Sequence, residues 1–135
     1  MITVTVYEQD AYVEAAVYGA YTDEGVTQVV QALSDLATRH DAIGELEIHH
    51  MRPTNTMSAI ARWSGKSLNV EEMLRKWKRY AVVADDPPLV LRAVAALAKA
   101  GRMETRIFPM HEVEEARRWV AGKPSGRLSV PTSSP

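Results

Sequence analysis

The chain has 135 residues, sixteen Lys and Arg against seventeen Asp and Glu, and no cysteine. That length fits one domain, the near-neutral charge gives no basis for nucleic-acid binding, and the missing thiols exclude disulfides, thiolate zinc sites and cysteine nucleophiles. Apolar residues make up 46% of the chain, which is ordinary for a globular protein and excludes a disordered one.

Ile2, Val4 and Val6 alternate with Thr3, Thr5 and Tyr7, the period of a half-buried strand. Glu8-Gln9-Asp10 is a polar turn, and Tyr12 to Tyr18 is a second β-branched and aromatic run, so the pair predicts a hairpin. Thr22-Asp23 starts a helix. Val26, Val29, Val30, Leu33, Leu36 and Ala37 form its apolar stripe. Leu46 and Ile48 mark a third strand, flanked by Glu45 and Glu47 and running into His49-His50-Met51. Arg52-Pro53-Thr54-Asn55 breaks it. A short helix is expected around Met57, Ile60 and Ala61.

Asn69 caps the next helix, with Val70, Met73, Leu74 and Trp77 at i, i+3, i+4 and i+7. Tyr80 to Ala84 is a continuous apolar run, as in a strand covered on both faces. Asp85-Asp86-Pro87-Pro88 starts a helix over Leu89 to Ala100, closed by Gly101. Met103 to Phe108 is a fifth strand. Glu112, Glu114 and Glu115 open a last helix and Arg117 and Arg118 lie toward its end, which suits the helix dipole. Its buried stripe is Val113, Ala116, Trp119 and Val120. The order β-β-α-β-α-β-α-β-α predicts an α/β domain with a mixed, mostly parallel five-stranded sheet, an N-terminal β-hairpin and helical cover. The domain is expected over residues 1–122, followed by a disordered Ser- and Pro-rich tail over 123–135.

Trp77-Lys78-Arg79-Tyr80-Ala81-Val82-Val83-Ala84-Asp85 is similar to the aromatic-x-Arg-apolar-Ala-Val-Val-Gly-Asp strand of the SpoIIAA-like family, in the STAS and SEC14-like superfold. Glu104-Thr105-Arg106-Ile107-Phe108, and the helix carrying Ala116 and Trp119, resemble that family's last strand and helix. The resemblance runs from residue 1 to about 121. It implies a small cytoplasmic domain, homodimeric, that regulates a protein partner or binds an apolar or lipid-like ligand. Two departures stand out. The Asp-Ser phosphorylation site of STAS antagonists is absent after the third strand, where Ser58 is the nearest serine, and the Phe-x-Gly-Trp segment is missing.

Candidate sites are few. There is no Gly-x-Ser-x-Gly, no Walker loop and no dinucleotide glycine motif, so no catalytic residue and no cofactor is assigned. His49 and His50 are adjacent on a strand and point to opposite faces, so no metal site is assigned either. Asp85 and Asp86 read as helix-cap and turn acids, with an Asp85–histidine enzyme as the competing reading. The most informative segment is 57–80. Its Met57, Ile60, Trp63, Leu74 and Trp77 are expected to line an apolar or lipid-like ligand, and Arg62, Lys66, Arg75 and Lys76 to meet an acidic headgroup. A basic helix with tryptophan also suits peripheral membrane contact. The expected function is a non-enzymatic binding or regulatory module. The alternative is a STAS-type protein-interaction regulator with a phosphorylation switch near Ser58.

Overall fold

Period-two alternation does produce the N-terminal hairpin. In the computed structural model β1 (Ile2–Tyr7) and β2 (Tyr12–Val17) pair antiparallel, from Ile2 opposite Val17 to Tyr7 opposite Tyr12. The structure describes residues 1–51, 70–87, 92, 96 and 103–123. α1 (Asp23–Arg39) begins at Thr22, whose side chain accepts a hydrogen bond from Gly25 N at 3.0 Å and satisfies one of the free donors of the first turn. The predicted stripe is the buried face of α1.

β3 (Ile43–His49) lies parallel to β2 and to β4 (Trp77–Val83), and β5 (Glu104–Phe108) lies parallel to β4. The sheet order is β1-β2-β3-β4-β5, one antiparallel pair and three parallel ones, as the element order predicts. α2 (Val70–Lys76) precedes β4 directly, and a 3-10 turn (Met110–Glu112) leads into α3 (Val113–Val120). Of the helix expected over 89–100, Arg92 and Ala96 are described, and both are helical and exposed. The proposed short helix near 57–61 and the tail from 124 onward lie outside the described residues.

One expectation needs correcting. Trp77 does not continue the helical stripe of Val70, Met73 and Leu74; it is the first residue of β4 and stands opposite Ile43. Lys78 and Arg79 are therefore strand residues too. Pairing with β3 extends the strand back to Trp77, and a register shift between Ile43 and Gly44 accommodates the extra residue. Tertiary pairing overrides the local period. Trp77 still joins Met73 in the same core, which is why the spacing misled.

Two apolar layers sandwich the sheet. On one face α1 and Met73 of α2 cover Val13, Ala15, Val17, Ile43, Tyr80 and Val82. On the other, Ala116 and Val120 of α3 cover Leu46, Ile48, Ala81, Val83 and Phe108. The α3 face carries a lock built from the residues that resemble the family motif. Arg79 Nη1 donates to the Trp119 carbonyl at 2.5 Å, its guanidinium lies 5.4 Å from the Trp119 ring centre, and its Nε lies 3.4 Å from Glu104 Oε1. Arg106 stacks over Phe108 at 4.6 Å and faces Trp119 at 5.7 Å. Nearby, Arg117 makes a two-pronged pair with the buried Glu14 of β2 at 2.9 and 3.0 Å. These contacts hold α3 to the sheet and leave the α1 face for other work.

Candidate buried polar site on the α1 face of the sheet

β3 is a central parallel strand, so neither of its faces meets water broadly. Leu46 and Ile48 fill the α3 face. Strand alternation then obliges Glu45, Glu47 and His49 to point together toward the α1 face. Glu45 and His49 are buried, and the Glu47 side chain retains 15% exposure.

The contacts are close. His49 Nε2 lies 3.0 Å from Glu47 Oε1, and Tyr21 Oη donates to the same oxygen at 3.1 Å. Tyr21 Oη and His49 Nε2 are 3.4 Å apart, and the two rings meet edge-on at 5.9 Å. Glu45 shares a hydrogen bond with Glu47. Tyr80 stands opposite Glu45 in the strand register, and Trp77 meets Tyr80 edge-on at 5.8 Å.

Two carboxyl groups so close cannot both ionise freely. Burial, then the negative Glu47, hold the Glu45 carboxyl well above the usual carboxylate range. Burial also acts to raise Glu47, but hydrogen bonds from His49, Glu45 and Tyr21 outweigh it, and its carboxyl is lowered. Glu45 is thus the protonated partner and Glu47 the carboxylate. Burial, followed by the charge on Glu47, raises both the Tyr21 and the Tyr80 phenols, so these act as neutral hydroxyls.

Two atoms of the cluster are left over. Glu45 Oε2 and His49 Nδ1 are buried and have no hydrogen-bond partner among the described residues. A carboxyl that donates through one oxygen keeps the other as a carbonyl acceptor. An imidazole nitrogen donates or accepts according to the tautomer, so His49 Nδ1 offers a buried hydrogen-bonding group of either kind. Among the described residues no three His, Asp or Glu side chains are grouped to hold a metal ion.

Sequence reasoning placed Glu45 and Glu47 on the third strand without giving them a role. The signal was present in Glu45-Leu46-Glu47-Ile48-His49. Alternating charges in a strand paired on both sides by parallel neighbours must face a helix rather than water.

Of the residues expected to line a ligand, four lie among the described residues: Trp77, Leu74, Arg75 and Lys76. Trp77 adjoins the cluster through Tyr80. Leu74 is exposed on α2, and Arg75 is exposed with its guanidinium 4.0 Å from Glu72. Lys76 Nζ donates to the Ala37 carbonyl at 2.6 Å, which ties α2 to the end of α1. Met57, Ser58, Ile60, Arg62, Trp63 and Lys66 lie outside the described residues. Asp85 Oδ1 accepts from Met110 N at 2.9 Å, so it holds the turn that opens α3. His50, just past the end of β3, stacks on Tyr18 with ring centres 4.5 Å apart.

A SpoIIAA-like family model matches residues 12–121, from the first residue of β2 to Ala121, which caps α3. No curated protein and no solved structure matches the chain.

Proposed function

The chain belongs to the SpoIIAA-like family, and from that premise we propose that it is a non-enzymatic binding and regulatory module whose ligand sits against the α1 face of β3 and β4. The ligand has an apolar or lipid-like body and a polar head. Trp77 and Tyr80 adjoin the head, and Met57, Ile60, Trp63 and Leu74 are proposed as further apolar lining.

The observation that carries this reading is the pair of buried polar atoms without hydrogen-bond partners among the described residues, Glu45 Oε2 and His49 Nδ1. Each such atom costs roughly 1–3 kcal/mol when left unsatisfied. A core selected for stability alone has no use for them, whereas a binding site keeps groups that a ligand will satisfy. Lys76 is bonded to Ala37 and Arg75 lies beside Glu72, so the basic side of α2 is not the preferred place for the head.

Native mass spectrometry of gently purified protein, with vesicle co-sedimentation alongside, tests the proposal. A co-purified small molecule supports it. Its absence, together with no vesicle binding, counts against it.

Family membership also favours a second reading, a STAS-type regulator that works through a protein partner. The two readings are compatible if ligand occupancy controls the partner surface. A switch at Ser58 would appear as a change in partner affinity on phosphomimetic substitution, and an unchanged affinity would remove it.

A further inference from the structure

The two edges of the sheet differ in chemistry. β5 carries Glu104 and Arg106, and charges on an edge strand discourage a further strand from adding to it. β1 reads Ile2-Thr3-Val4-Thr5-Val6-Tyr7, with no charge, no proline and an unbroken register against β2. Among the described residues its outer side has no neighbouring strand. Tyr18 N donates to the Met1 carbonyl at 2.8 Å and the Met1 nitrogen to the Tyr18 carbonyl at 3.0 Å, so these two residues are a bonded pair. Antiparallel alternation then makes bonded pairs of Thr3 with Ala16 and Thr5 with Glu14, and turns the N–H and C=O of Ile2, Val4 and Val6 outward. The side chains of Val6 and Tyr7 are exposed as well.

We propose that β1 is a pairing edge whose partner is a second copy of this chain, joined antiparallel about a two-fold axis at Val4. That register sets Val4 against Val4, Ile2 against Val6 and Thr3 against Thr5, and closes a doubly bonded main-chain pair at Ile2, Val4 and Val6. Two features select a copy over an unrelated extended segment. These cross-strand pairs join aliphatic to aliphatic and threonine to threonine, so the strand complements itself. In addition, α1 runs along β1 in the same direction: Gly25 in its first turn lies against Ile2, and Arg39 in its last turn pairs with Glu8, just past Tyr7. The two-fold therefore points the acidic start of one α1, at Asp23 and Glu24, toward the Arg39 end of the other, with the helix dipoles opposed. Val6, half exposed in one copy, gains Ile2 of the partner subunit as an apolar neighbour. The edge lies on the far side of β2 from the β3 cluster, so the pairing stands or falls independently of the ligand.

Sedimentation equilibrium of the full chain up to about 0.2 mM, with amide exchange followed by NMR at both ends of the concentration range, tests the assignment. The expected result is a reversible dimer in which the Ile2, Val4 and Val6 amides exchange more slowly as the dimer fills. Thr3→Lys combined with Thr5→Lys should weaken association at least about tenfold, because it places lysine opposite lysine across the two-fold. Thr3 and Thr5 are exposed, so these changes leave the core untouched. A chain that stays monomeric over the range overturns the proposal. So does a dimer whose Val4 and Val6 amides exchange as fast as in the monomer, or one that the paired lysines leave undiminished. If the double variant does not fold, the wild-type amides decide.

Discussion

The imidazole of His49 and the carboxylate of Glu47, two residues apart on β3, meet at 3.0 Å on one face of a sheet that is covered on both sides. Tyr21, from the turn before α1, reaches the same carboxylate oxygen at 3.1 Å. Burial, and then the negative charge of Glu47, hold Glu45 in its protonated form, and the consequence is a protein whose stability depends on pH in a defined direction.

The folded-state pKa of Glu45 is raised above its ordinary 4.5 by burial and by Glu47. A carboxyl raised in this way contributes stability below its unfolded value and loses it as pH climbs through the folded one. Unfolding free energy should therefore fall as pH rises from 4.5 through the folded-state pKa of Glu45. Glu45→Gln, which keeps a donor toward Glu47 and cannot ionise, should flatten that decline. Urea unfolding at a series of pH values checks this; equal slopes for variant and wild type would mean that Glu45 ionises freely in the fold.

Trp77 is 8% exposed and packs with Met73, Tyr80 and Ile43. Trp77→Ala should cost roughly 3–5 kcal/mol of stability, the range for emptying a large aromatic site. A tryptophan acting only as a lid would cost far less and change only binding. Denaturant midpoints distinguish the two.

Arg79 lies over Trp119 and bonds to its carbonyl and to Glu104. Arg79→Lys retains the charge but loses the planar group that does all three. A loss of about 2 kcal/mol is expected, with hydrogen exchange rising first in α3. Unchanged exchange in α3 would show that the lock is dispensable.

Gly44 has Val120 pressed against it. A Cβ there would lie 2.9 Å from Val120 Cγ2 and 3.3 Å from two backbone carbonyls, Arg79 O and Val120 O. Because backbone cannot swing aside as a side chain can, Gly44→Ala should cost about 1–3 kcal/mol. A thermal melt suffices to measure it, and an unchanged midpoint would mean that α3 shifts freely on the sheet.

Much of the fold was legible because its signals are local. The alternation at Ile2, Val4 and Val6, the Thr22 cap and the stripe from Val26 to Ala37 each announce one element without help from the rest. The Trp77–Asp85 and Glu104–Phe108 segments carried the family resemblance because they build the Arg79–Trp119 lock. Trp77 itself was misplaced because helix and strand lead it into the same core, and only pairing with Ile43 decides between them. The polar cluster was harder to see for a related reason. Glu45 and Glu47 only flank the apolar Leu46 and Ile48 in the sequence, and their burial follows once β2 and β4 are known to flank β3 in parallel. Tyr21 and Tyr80 join them from 26 residues before Glu47 and from the next strand, a separation that no periodicity records.

The central claim is that the buried, unpartnered polar atoms on β3 exist for a ligand. Native mass spectrometry of wild type beside Glu45→Leu, both purified gently, tests it most directly. Leu removes the orphaned acceptor and places apolar volume where the head would bind, so the fold should remain stable while the site closes. The account predicts a small-molecule adduct on wild type that is lost from the variant. An adduct retained undiminished by Glu45→Leu, or a wild type that carries none, would contradict it.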